Sequence, residues 1–190
     1  MKLLAGCLVM VALTVVSAGA EIEIAYDDGT AERGIVWNEA GNGVAERFSV
    51  DPDCMLIAAK FFTVATYFCN PLGICVLDAN GPEGAPGDTL CGYFVVPLEP
   101  YYQEVTFPEP IALPGPDFYV VYLQTGWGNA DSNLFGIDTS SPPDGRSWLY
   151  ENGVWSLMAL EEGGVMIRAI FAPATPTVPH TWGGIKGEYQ

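Results

Sequence analysis

The chain consists of short runs of residues that favour β-strands, separated by clusters of turn residues. Valine, isoleucine, phenylalanine, tyrosine and threonine dominate the runs, glycine, proline, asparagine and aspartate fill the gaps, and helical signals are nearly absent. The stretch 118–123 is apolar throughout, which suits a strand in the middle of two packed sheets. We therefore predict an all-β fold, a two-sheet antiparallel β-sandwich that is jelly-roll-like.

The strand pattern can be followed segment by segment. It is clearest in 43–50, where Val44, Phe48 and Val50 share one face and Glu46 is the exception on that face. The stretch 80–88 is rich in glycine and proline, so it is predicted to be a loop. The predicted strands are 22–26, 43–50, 55–65, 74–78, 90–97, 104–107, 118–124, 147–150 and 165–171.

The ends of the chain differ from its middle. Residues 1–20 are predicted to be a signal peptide, with Lys2, an apolar stretch and Ala18-Gly19-Ala20 before a mature start at Glu21. The apolar stretch is shorter than the roughly twenty residues that span a bilayer, so it is not expected to stay as a membrane anchor. No membrane span is predicted in the mature chain. Residues 21–172 form the predicted sandwich, and 173–190 form a Pro/Thr linker and short tail. The expected location is secreted or cell-surface, periplasmic or extracellular.

The excess of acidic residues limits the kinds of partner that the chain can bind. Asp and Glu number 23 against 7 Lys and Arg, a formal net charge of −16. Such a surface repels phosphate groups, so nucleic acid and anionic membranes are not expected as partners. An extracellular glycan or protein remains a candidate partner, and the free carboxylates leave calcium as a candidate ion.

The residues for catalysis are scarce. The single histidine, His180, lies in the tail, so no Ser/His or Cys/His couple can be assembled within the sandwich. There is no glycine-rich phosphate loop between a strand and a helix, so no nucleotide cofactor is expected. The chain is therefore predicted not to be an enzyme.

The mature chain keeps Cys54, Cys69, Cys75 and Cys91, an even number in a chain that leaves the cytosol. Disulfides are the favoured interpretation, and four cysteines allow three pairings. We favour Cys69–Cys75 across the turn Asn70-Pro71-Leu72-Gly73 and Cys54–Cys91 between strands. A zinc site is disfavoured because closely spaced ligand pairs are missing.

Acidic residues gather in two places. Asp27, Asp28 and Glu32 lie near the mature N-terminus, where a structural turn, a calcium site and an acid–base pair are the alternatives, in that order of preference. We predict that carboxylates of the domain hold Arg146 and Arg168, with Asp27 or Asp28 among the partners, because an arginine in an apolar strand can be buried only when paired. The second group surrounds the 80–88 loop and consists of Asp78, Asn80, Glu83 and Asp88. For this group a plain turn is favoured over a metal site.

Aromatic residues could provide stacking surfaces for sugars or fill the core. Trp127 and Trp148 are the candidate ligand aromatics, with Trp127 expected in an exposed loop. A carbohydrate-binding module requires at least two exposed rings on one sheet face or loop rim, whereas a hydrolase requires a cleft with two opposed carboxylates. The other aromatic candidates are Trp37, Trp155, Tyr101, Tyr102, Tyr119, Tyr122 and Tyr150.

Three stretches together resemble a known kind of module: Tyr26-Asp27-Asp28-Gly29-Thr30-Ala31-Glu32, the segment 138–148 (DTSSPPDGRSW) and Met166-Ile167-Arg168-Ala169-Ile170. They look like a β-sandwich module of secreted bacterial proteins that often stands beside peptidase or repeat domains. The resemblance implies a non-catalytic, jelly-roll accessory domain. The tail, 181–189 (TWGGIKGEY), is similar to a short C-terminal signature of exported bacterial proteins, which implies a sorting signal that uses Trp182, Ile185, Lys186 and Tyr189.

These observations lead to one expectation and two alternatives. The leading expectation is a secreted, non-catalytic β-sandwich with a structural, adhesive or surface-display role. A carbohydrate-binding module is the first alternative, and a hydrolase accessory domain is the second. The tail adds sorting machinery as a candidate partner.

Overall fold

The computed structural model describes residues 20–51, 53–64, 70–126, 134–140, 145–159 and 162–173. Most of the predicted signal peptide and the tail residues Trp182, Ile185, Lys186 and Tyr189 lie outside these ranges, as do Cys69, Trp127 and His180. No helix in the described ranges has the length and apolar character needed to cross a membrane.

The described chain is nearly all β-structure, which confirms the predicted fold class. One 3-10 turn, Pro82–Gly84, interrupts it within the loop predicted at 80–88. The strands are β1 Ile22–Ile24, β2 Arg33–Ile35, β3 Gly43–Ser49, β4 Cys54–Val64, β5 Leu72–Asp78, β6 Thr89–Val96, β7 Tyr101–Ala112, β8 Asp117–Gln124, β9 Leu134–Asp138, β10 Ser147–Glu151, β11 Val154–Leu157, β12 Gly164–Val165 and β13 Ile167–Pro173.

The strands form two antiparallel sheets that pack as a sandwich. The seven-stranded sheet has the order β1-β13-β4-β9-β12, with β7 paired to β4 and β2 paired to β9. The six-stranded sheet has the order β11-β10-β3-β8-β5-β6. Consecutive strands such as β3 and β4, or β7, β8 and β9, alternate between the sheets, so both sheets depend on contacts between residues far apart in sequence.

The core lies between the sheets and is rich in aromatic residues. Phe48, Phe61 and Phe171 are fully buried there, and Tyr122 stacks on Phe135 with ring centroids 4.7 Å apart. Glu46, the predicted exception on the inner face of β3, is buried as well. Its carboxylate accepts a 2.5 Å hydrogen bond from the Ser147 hydroxyl, which makes its burial tolerable.

Several strand boundaries differ from the sequence prediction. Strands β2, β9 and β11 were not predicted, because they are short and, in β9, Gly136 interrupts the apolar run. Strand β7 continues past 107 through Pro108 and Pro110, which an edge strand tolerates because its outer N–H groups have no partner to lose. The predicted strand 165–171 divides at Met166, since β12 pairs with β9 whereas β13 pairs with β1 and β4.

The cysteines that the structure describes, Cys54, Cys75 and Cys91, are free thiols in it. Cys54 begins β4 and Cys91 lies in β6 of the other sheet, so a Cys54–Cys91 bond would connect the two sheets and stays a prediction. The Cys69–Cys75 pairing also stays a prediction, because Cys69 lies outside the described residues. The expected turn between them is partly strand, since β5 already begins at Leu72.

Candidate functional site

The three sequence motifs, 26–32, 138–148 and 166–170, come together in the fold. Tyr26 contacts Arg146, Asp27 pairs with Arg168, and Asp28 contacts Ser140. These contacts connect residues more than a hundred positions apart, and through them the first motif contacts both of the others. We call this region the motif cluster.

Arg168 and Asp27 form the centre of the motif cluster. The guanidinium Nη2 lies 2.6 Å from Asp27 Oδ1, and Nε donates to both carboxylate oxygens at 3.2 and 3.3 Å. Nη1 reaches Glu23 at 3.1 Å, and the ring of Tyr102 lies 4.2 Å below the guanidinium carbon while its hydroxyl donates to Asp27. The hydrogen bonds that Arg168 donates to Asp27 raise the pKa of Arg168, and burial raises the pKa of Tyr102.

Arg146 has a different environment. Its guanidinium carbon lies 4.3 Å from the centre of the Tyr26 ring, and Nη1 donates weakly to the Arg47 carbonyl at 3.4 Å and to Ser49 Oγ at 3.3 Å. Asp27 is therefore the partner of Arg168, as the sequence predicted for one of the two arginines. Of the two alternatives, Asp27 is the residue that pairs, whereas the Asp28 carboxylate accepts hydrogen bonds from Thr30 and Ser140.

Asp28, Glu32 and Asp138 form an acidic cluster beside this pair, with carboxylate oxygens within 4.8 Å of one another. Every one of these oxygens accepts a hydrogen bond. Asp138 receives the Asp28 and Ser140 N–H groups, Asp28 receives the Thr30 N–H at 2.8 Å, and Glu32 receives the Thr139 N–H at 2.9 Å. The Thr30 hydroxyl and N–H are the main cause of the lowered pKa of Asp28.

The acidic cluster has the oxygen ligands that calcium prefers, and these residues could hold such an ion. Its hydrogen bonds also account for its stability without one, since N–H and O–H donors offset the repulsion between like charges. The second acidic group is a closed turn: Asn80 Nδ2 donates to Asp88 at 2.9 Å, and the Asp88 N–H returns to Asn80 Oδ1 at 2.9 Å. This agrees with the plain-turn interpretation of the loop that carries Asp78 and Glu83.

The outer face of the six-stranded sheet carries a second group of aromatic residues, which we call the aromatic face: Tyr93, Tyr119, Trp148, Tyr150 and Trp155. Strand register places these residues on one face. Tyr150 lies opposite Trp155 on the neighbouring strand, and Trp148 is in the same cross-strand row as Ala45 and Val121. The Tyr150 and Trp155 rings are 4.7 Å apart, and Trp148 meets Tyr119 edge-on at 6.1 Å.

The sequence aromatics thus separate into three environments. Trp37 and Tyr122 fill the core, Tyr102 supports Arg168, and Trp148 belongs to the aromatic face. Tyr93 was missed because β6 carries a bulge near it, which obscures the alternation of faces.

Comparison with known proteins gives a partial likeness. No family model matches the chain. Bacillopeptidase F of Bacillus subtilis (strain 168) is 32% identical to it over 167 residues. The aligned region takes in 82% of this chain but only 12% of that protein. The chain is therefore similar to one small region of a protein named as a peptidase.

Proposed function

We propose that this chain is a non-catalytic β-sandwich module that acts outside the cytoplasm in a structural, adhesive or surface-display role. The observation that carries the proposal is the partial likeness to Bacillopeptidase F: most of this chain corresponds to about an eighth of that protein. A region of that extent is the size of one accessory domain in a multidomain protein. The module resembled by the three motifs stands beside peptidase domains in the same way.

The chemistry of the described residues supports this proposal. The part of the chain that the structure describes contains no histidine, so it offers no imidazole base for a serine or cysteine nucleophile. A glycosidase needs a carboxylic acid whose pKa is raised, whereas hydrogen bonds lower the pKa of Asp28 in the acidic cluster. The acidic cluster and the arginine of the motif cluster instead connect strands and turns.

An activity assay tests the proposal. The mature chain, residues 21–190, is incubated with casein and with a panel of nitrophenyl glycosides, beside the matched variant Asp138→Asn. We expect no turnover above the buffer rate for either protein. Turnover by the unmodified chain that the variant lacks would show that the acidic cluster is catalytic and would overturn the proposal.

Location is tested separately. We expect the full-length chain, made in a bacterial host, to leave the cytoplasm and to lose residues 1–20, which mass spectrometry of the exported protein detects as a start at Glu21. Retention in the cytoplasm with an intact N-terminus would contradict an extracytoplasmic role. Because the tail is the proposed sorting signal, a chain ending at Pro173 should still be exported but should differ in surface retention.

A further inference from the structure

Two glycines flatten the aromatic face between its rings, although the Tyr150 and Trp155 rings are tilted by 43° to one another. One cross-strand row runs Trp155, Tyr150, Gly43, Leu123, Gly73 and Val95. The two glycines let neighbouring side chains lie down on the sheet: a Cβ on Gly43 would come within 2.8 Å of Leu123 Cδ2, and a Cβ on Gly73 within 2.7 Å of Tyr93 Cε2. Glycine at these positions therefore flattens the surface between the rings on β10 and the ring on β6.

This flat surface is accessible and long. Tyr93 is 55% exposed and Leu157 is 50% exposed, while Trp148, Tyr150 and Trp155 are half-buried. Adjacent strands lie about 4.8 Å apart, so the row from β11 to β6 extends for about 24 Å. Such a surface can contact several consecutive rings of a chain-like ligand.

The surface is also uncharged, in contrast to the rest of the molecule. The row with Gly43 contains no carboxylate, although the chain has 23 acidic residues. In the neighbouring row only Leu157 and Trp148 reach the surface, because Ala45, Val121 and Cys75 are buried beneath their neighbours. A neutral ligand complements a surface row without carboxylates.

We propose that the aromatic face binds a neutral polysaccharide, with sugar rings stacked on Tyr150, Trp155 and Tyr93. Flat aromatic rings contact the apolar faces of sugars. A peptide strand is the less suitable occupant, because it could pair only with the edge strands β11 and β6, whereas β3, β8 and β5 already pair on both sides and their outer surface would stay uncovered. The inference rests on the proposed adhesive function and gives it a ligand.

The test uses insoluble cellulose, chitin and polygalacturonate as probes. The mature chain is incubated with each, and the bound fraction is measured beside the variants Tyr150→Ala and Tyr93→Ala. The matched control is Val154→Ala, which removes an exposed side chain from β11 beside Trp155. We expect retention on cellulose or chitin, about a tenfold loss of affinity in each tyrosine variant, and no change in the control.

Each other outcome overturns the site. Retention on neither neutral polymer, retention on polygalacturonate alone, or equal retention by all variants would each contradict it. A dimer seen by size-exclusion chromatography that the tyrosine variants abolish, without polymer binding, would show that a second copy covers the face. Tyr93→Ala keeps the test valid if Tyr150→Ala fails to fold, because Tyr93 is largely exposed. Hydrolysis of a bound polymer would instead contradict the non-catalytic function and leave the binding site in place.

Discussion

Arg168 and Asp27 show how a single charged pair can hold two motifs together. The Asp27 side chain is only 2% exposed, and Arg168 on β13 reaches it from the far end of the sequence. A buried carboxylate that loses its cation keeps the cost of desolvation without the compensating attraction. The pair therefore matters to stability much more than an exposed ion pair does.

We predict that Arg168→Met lowers the free energy of unfolding by about 3 kcal/mol, because it leaves Asp27 buried with only the Tyr102 hydroxyl and backbone donors. Lys60→Met is the matched control, since Lys60 binds Glu23 at 2.5 Å but both side chains are partly exposed. Its cost should stay below about 1 kcal/mol. Urea denaturation of both variants measures the difference, and equal losses would contradict the central role of Arg168.

The Cys75 thiol gives a pH-dependent prediction at the same scale. Burial raises its pKa to about 12, above the usual 9.0 of a free thiol. Its stabilising effect is therefore complete below pH 9 and is lost as the pH rises towards 12, because only the unfolded chain ionises in that window. We expect the unfolding free energy of the native chain to fall with pH faster than that of Cys75→Ala, by up to about 1.4 kcal/mol per pH unit.

The pH-dependent prediction requires Cys75 to be a free thiol, which alkylation tests. A protonated, buried thiol reacts slowly with iodoacetamide, so Cys75 should be modified at pH 8 only after unfolding. If unfolding without reductant leaves Cys75 unmodified, the exported protein carries a disulfide there, as the sequence analysis predicted. In that case the pH-dependent difference between the native chain and Cys75→Ala should also vanish.

At the level of elements, the sheet edges are protected unequally. Strand β7 has Pro108 and Pro110, and β1 has only three residues, both of which discourage further strand pairing. Strand β6 is an edge of the six-stranded sheet with neither a proline nor a charged residue, and Val95 on it is 48% exposed. It is the described edge best suited to intermolecular pairing.

We predict that Val95→Lys slows aggregation severalfold when the protein is held just below its unfolding temperature, because a charged side chain on an edge opposes pairing with another strand. Val154→Lys, on the four-residue edge strand β11, is the control and should change the rate little. Light scattering against time measures both. Equal slowing would attribute the effect to net charge and not to the β6 edge.

The same elements show what the sequence could and could not reveal. Long apolar or alternating runs such as β3, β4 and β8 were predictable, because their patterns reflect burial directly. Strand β9 was not, since Gly136 is there for close packing against Phe62 and Met166, which depends on the fold. The aromatic face was also hidden, because Tyr119 and Tyr122 lie in one strand and only its register decides which ring enters the core.

For the whole molecule, the motif cluster depends on pairing between the first and the last strand of the sandwich, β1 and β13. Strand β1 pairs with β13 from Ile22–Phe171 to Ile24–Ala169, and Glu23 on β1 binds both Arg168 and Lys60. Asp27 lies three residues after the end of β1, so the segment 22–28 positions half of the cluster. A fold of this kind requires pairing between distant segments before it becomes stable.

Truncation at each end tests this arrangement. A chain of residues 21–173 keeps every described strand, so its melting temperature should match that of residues 21–190 within about 2 °C. Removing residues 21–24 as well takes away β1 and Glu23, and this should lower the melting temperature by about 4 to 8 °C, since a loss of roughly 2 kcal/mol has that effect in a domain of this size. Circular dichroism during heating measures all three chains. If loss of the tail is as damaging as loss of β1, the tail belongs to the folded sandwich and cannot serve as a separate sorting signal.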